Sequence, residues 1–152
     1  MENTFVQNIK VIMARDLRAL ATEIIEVDDQ YLWIQIPGII NPVGVLAMHI
    51  CGNLKFFIGS VLGENGYIRQ REKEFEISHI SKQTIIKEIE ETIEVVESVL
   101  DQFPDDRIHD EMPVTPPHHK GRSIEFFLIQ LCCHLSRHRG QLNYIQRMAK
   151  GL

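Results

Sequence analysis

The chain has 152 residues, 44% of them apolar, a net charge of −5 and a pI near 5.8. That length supports one globular domain with a sizeable core, and the acidity excludes general binding to nucleic-acid phosphates. The charge is uneven. From Lys120 onward six basic residues face one acid, Glu125, a local +5 that leaves −10 on residues 1–119. Such a split reads first as solvated faces, and otherwise as a basic last helix set against acidic neighbours or a small anion.

Three cysteines, Cys51, Cys132 and Cys133, form no disulfide framework and suit free thiols in a reducing cytosol. Charges at Glu2, Lys10, Arg15 and Asp16 break any leader-like pattern. The longest apolar run, Val43–Leu62, is interrupted by His49, Asn53 and Lys55, which favours a buried helix over a membrane span. These features predict a soluble cytoplasmic protein with neither a membrane nor a nucleic-acid partner.

In chain order, apolar residues Phe5, Ile9, Ile12/Met13, Leu17, Leu20 and Ile24 predict a first helix over residues 4–27. Pro37 and Gly38 end it, and Trp33 suggests a loop that packs down. Asn41-Pro42 reads as an N-cap followed by proline at the first helical position. The helix beyond buries Leu46, Ala47, Ile50, Leu54, Phe57 and Val61, and Gly63–Gly66 closes it. Residues 67–80 are mixed and charged and read as a loop with at most one irregular turn.

From a cap at Ser81, the series Ile85, Ile86, Ile89, Ile93, Val96, Leu100, Phe103 predicts a third helix. Residues 104–121 hold four prolines and form the longest connection; the His118-His119 pair within it reads as part of a plain surface loop. Ser123 caps a last helix whose stripe runs Ile124, Phe127, Leu128, Leu131, His134, Leu135, His138, Leu142, Ile145 and Met148. Four amphipathic helices of roughly 20–28 residues predict an all-α four-helix bundle, one domain over residues 1–152.

The chemistry concentrates in the last helix. His134 and His138 are one turn apart on one face, in line with Phe127 and Ile145, so two imidazoles sit in an apolar stripe. A shared metal ion explains them economically. His49, the remaining helical histidine, can supply a third ligand, leaving one corner of a tetrahedron for a water or a thiol. Buried histidines satisfied by ordinary hydrogen bonds are the alternative.

Leu135 follows His134 where the zincin motif has glutamate, and no helix carries the Glu-x-x-His pair of di-iron bundles. Cys132 and Cys133 point sideways from the histidine line and read as buried structural residues. Asn53 and Gln141 lie beside the histidines and can hydrogen-bond an imidazole N–H. Arg69, Arg71, Arg137 and Arg139 are the candidates for holding an anionic substrate. Close helix packing accounts for Gly52 and Gly140.

Two motifs carry a family resemblance: Gly38-Ile39-Ile40-Asn41-Pro42 through His49-Ile50-Cys51-Gly52-Asn53, and His134-Leu135-Ser136-Arg137-His138-Arg139-Gly140-Gln141. The chain resembles the DinB-like superfamily of four-helix bundles, which includes the YfiT-like metal-dependent hydrolases. The resemblance implies up-down-down-up topology, a homodimer, and zinc, nickel or iron held by His49, His134 and His138. It also implies a thiol S-transferase that joins a low-molecular-weight thiol, such as bacillithiol or mycothiol, to electrophiles. A metal-dependent hydrolase and a non-catalytic metal-binding stress-response module are the competing expectations.

Overall fold

A computed structural model describes residues 4–151. Its long helices follow the apolar stripes. Helix α1 spans Thr4–Glu26, α2 Val43–Leu54, α4 Lys82–Asp101 and α5 Ile124–Lys150, and a short helix, α3, spans Arg71–Glu76. Among the described residues there is no strand, and Glu111 and Ser123 form an isolated antiparallel bridge.

Helices α1 and α2 each pack against both α4 and α5, and all four contribute to one core. Met13, Leu17, Leu20 and Ile24 of α1 meet Ile50 and Leu54 of α2, Ile85, Ile89 and Leu100 of α4, and Ile124 of α5, every one of them fully buried. At roughly 1.5–3 kcal/mol per buried aliphatic side chain, this layer is the main stabilising term. At the Ile12/Met13 position Met13 is the core residue, whereas Ile12 and Met148 are exposed.

The expected caps form at two of three helices. Ser81 Oγ accepts the Thr84 N–H at 3.1 Å and Ser123 Oγ accepts that of Phe126 at 3.2 Å. Helix α2 begins one residue later than expected: Pro42 occupies the N-cap position, without a side-chain cap, and Val43 is the first helical residue. The loop before it packs down, as its tryptophan suggested. Trp33 lies against Gly44, where an added Cβ would come within 2.6 Å of the ring, and its Nε1–H donates to the Ile80 carbonyl at 3.3 Å.

Beyond Leu54 the second helix continues as a π-helix, Lys55–Leu62. The wider turn moves the buried stripe from the expected Val61 to Ile58 and Leu62. Val43–Leu62 is long and apolar enough to cross a membrane, yet 78% of its most apolar stretch is buried within the fold, which marks it as a core helix.

Two connections carry more structure than their composition suggested. Residues 71–76 form α3, laid against α2. The proline-rich connection is tied to the start of α5 by backbone bonds from Met112 N–H to Arg122 O (2.9 Å), Ile124 N–H to Asp110 O (2.9 Å) and Glu125 N–H to Ile108 O (2.8 Å). Ile108 and Met112 anchor it in the core.

Candidate metal centre

His49 points from α2 towards α5, where His134 and His138 rise from successive turns. The three imidazoles meet. His49 Nε2 lies 3.3 Å from His134 Nε2, which lies 3.1 Å from His138 Nε2. One nitrogen from each ring falls within 4.8 Å of the other two, an arrangement that could hold a metal ion.

The far side of each flanking ring fixes its tautomer. His49 Nδ1–H donates to Glu74 Oε1 at 3.0 Å, and His138 Nδ1–H donates to Gln141 Oε1 at 2.8 Å. Both partners are acceptors, so both Nδ1 atoms carry the proton and both Nε2 atoms present lone pairs. The third Nε2, between them, can donate to only one. Lone pairs therefore converge without enough protons to join them, and a cation resolves that conflict. Tetrahedral coordination at ~2.0–2.1 Å from nitrogen requires nitrogen–nitrogen separations of roughly 3.3–3.4 Å. The observed 3.1 and 3.3 Å fit it.

Electrostatics keep the site ready to ligate. Burial, reinforced by the neighbouring imidazoles, pushes His134 down to about 3, so it is neutral at physiological pH. Burial also lowers His138, against the hydrogen bond that its ring donates to Gln141. Glu74 is buried, which by itself would raise its carboxyl. Hydrogen bonds from Arg69 and His49 outweigh that and hold it below the ordinary value.

Glu74 was not legible as a site residue in the sequence. It sits on α3, and Arg69 grips it from the other side, Nε to Oε2 and Nη2 to Oε1, both at 2.8 Å. Gly52 makes room for it: an added Cβ there would overlap Oε2 and lie 2.5 Å from Cδ. Gly52 thus serves the carboxylate rather than general helix packing. Gly140 has open space around its Cα, so packing does not account for it.

The other expected residues divide. Gln141 makes the imidazole bond predicted for it. Asn53 does not: its Oδ1 is buried without a hydrogen-bond partner, and the side chain lines the adjoining cavity. Arg69 reaches that cavity but is committed to Glu74, and Arg139 turns away from it. The Arg139 side chain ion-pairs with Asp16 (3.5 Å) and Glu23 (3.2 Å) of α1, so at this residue the second reading of the charge split, acidic neighbours, holds over a solvated face. Arg71 and Arg137 remain on the cavity wall with no ion pair among the described residues. Cys133 is exposed and Cys132 half-buried, because they lie on the flank of α5 rather than under it; only Cys51 is buried.

The cavity measures about 790 Å³ and opens directly onto the three histidines. His118 and His119, expected on a plain surface loop, line it as well, because the ordered connection folds back over α5.

Fold and site together define an all-helical protein with a three-histidine group at the foot of a cavity. The chain belongs to the family described as protein of unknown function DUF1572, whose model matches residues 2–151. No curated protein and no solved structure matches it.

Proposed function

We propose that the protein is a DinB-like metal-dependent enzyme, a single up-down-down-up four-helix-bundle domain whose His49, His134 and His138 hold zinc or nickel, with iron as the alternative ion. The observation that carries this reading is the convergence of three imidazole Nε2 atoms, two of them lone-pair donors by virtue of Glu74 and Gln141. The packing of α1 and α2 against both α4 and α5 supports the bundle. The motifs that support a DinB-like assignment also favour a homodimer, and three free cysteines favour a cytoplasmic setting.

The reaction we assign is transfer of a low-molecular-weight thiol to an electrophile. A divalent ion supplies a lowered pKa for a thiol or water at the open position. The chain's own residues do the rest. Glu74 and Gln141 hold the imidazoles in ligating tautomers, and Phe56, Phe57, Phe75 and Phe127 give the cavity an apolar wall beside them. Arg71 and Arg137 are free to take an anionic group of a substrate.

Hydrolysis is the second reading, favoured by one specific observation. His118 and His119 face the same cavity, and neither imidazole has a hydrogen bond or ion pair among the described residues, so either can accept a proton. Turnover of an electrophile panel by metal-loaded protein, with and without cysteine as the thiol, separates the two. Transfer predicts product only with the thiol, and undiminished turnover without it assigns hydrolysis. No turnover of any electrophile, with metal bound, leaves a metal-carrying stress-response module.

A further inference from the structure

We propose that the cavity beside the three histidines binds a small molecule with a flat, aromatic-like body and an acid group, the acid held between Arg71 and Arg137. This deepens the reading of the same site, and it rests on that reading only for the ligand's place beside the metal.

The walls define the body. Four of the chain's seven phenylalanines, Phe56, Phe57, Phe75 and Phe127, line this one cavity. Their rings meet edge to face, Phe56 to Phe57 with centroids at 4.9 Å and Phe57 to Phe127 at 4.8 Å, and Phe75 continues the wall 4.8 Å from the His49 ring. Ring faces and edges in this arrangement favour a flat partner. Two apolar side chains at the cavity remain substantially open, Phe75 at 36% and Val114 at 46% exposure, and a bound ligand would cover them. A volume of about 790 Å³ suits a small molecule rather than a folded partner.

The charges define the head group. Arg69, Arg71 and Arg137 all reach the cavity, and the opposing acids are Glu74, committed to Arg69, and Glu72. Positive charge is left over in a protein whose net charge is −5. Arg71 is held with its guanidinium carbon 5.1 Å from the Phe75 ring centroid, which orients it next to the aromatic wall. An acid attached to a flat body thus meets cation and wall together.

The test is calorimetric titration of the full-length protein with 2-naphthoate, 2-naphthamide and acetate, as purified and again after chelation. We expect 2-naphthoate to bind one per chain, with the neutral amide and the body-less acid each at least about tenfold weaker. Arg71→Gln and Arg137→Gln should each weaken naphthoate by about tenfold and leave naphthamide unchanged. Neither arginine has an ion pair to lose among the described residues, so the fold is kept. Phe75→Ala should weaken both aromatic probes. The ranking should survive chelation. Equal binding of naphthoate and naphthamide, acetate as tight as naphthoate, no aromatic binding, or arginine variants without effect would each overturn the proposal. An acid preference that disappears on chelation while the arginine variants do nothing would assign the acid to the metal, and also overturn it. A protein that rejects zinc and nickel yet keeps the full naphthoate pattern defeats the metal reading alone.

Discussion

The carboxylate of Glu74 occupies the space that a side chain at residue 52 would fill, so Gly52 and Glu74 form one steric unit beneath His49. A methyl at residue 52 has to push α3 outward or turn the carboxylate off the imidazole. Gly52→Ala should cost about 1–3 kcal/mol in denaturant unfolding, the usual range for overpacking. Its cost should shrink to a few tenths in a Glu74→Ala background, because the clash is then gone. Equal costs in the two backgrounds would show that Gly52 serves some other purpose.

Glu74→Gln keeps the shape but removes the charge that orients the His49 ring and neutralises Arg69. Zinc affinity, measured by competition with a chromophoric chelator, should fall about 10–100-fold. Gln141→Ala, which frees the His138 ring, should fall in the same range. Affinity unchanged in both variants would mean that the imidazoles need no outer support.

The chelated protein should lose stability as pH falls. Burial holds folded His134 neutral down to about 3, whereas in the unfolded chain a histidine titrates at ~6.5. The unfolded state therefore binds the extra proton first. The contribution is fully present above ~6.5 and is lost progressively as pH falls from there towards about 3. Unfolding free energy against pH should slope upward through this window, and His134→Asn should reduce the slope. A flat wild-type profile between about pH 4 and ~6.5 would contradict the burial of the ring.

Thiol titration should resolve three environments. Burial pushes Cys51 up to about 12 and Cys132 up to about 11, so both resist modification in the folded state. Cys133 is exposed and should react first with a disulfide reagent. Rapid reaction of all three without denaturant would mean that α2 and α5 open readily.

The long helices and the three histidines were legible because each rests on a pattern that repeats. Leu17, Leu20 and Ile24, or the pairs Ile85/Ile89 and Val96/Leu100, return every three or four residues, and burial follows them. His134 and His138 stand within such a stripe. Glu74 escaped because α3 has only six residues, too few for a period to show, and its acid is one of three in the charged run Glu72, Glu74, Glu76. The available signal was Gly52, three residues after His49, a place where something must approach closely. The π-helix escaped for a related reason: it shifts the stripe by a single residue, from Val61 to Leu62, and both are apolar. His118 and His119 were hidden by non-local structure: bonds tying residues 108–112 to 122–125, with Ile108 and Met112 buried in the core, bring that connection over the cavity.

Elemental analysis of protein purified without a histidine tag decides whether the three imidazoles hold a metal ion. About one divalent ion per chain is expected, bound by the three imidazoles, and it should be lost in His134→Ala while the helical circular-dichroism signal is kept. Wild-type protein that is isolated metal-free and also rejects added zinc and nickel would contradict it.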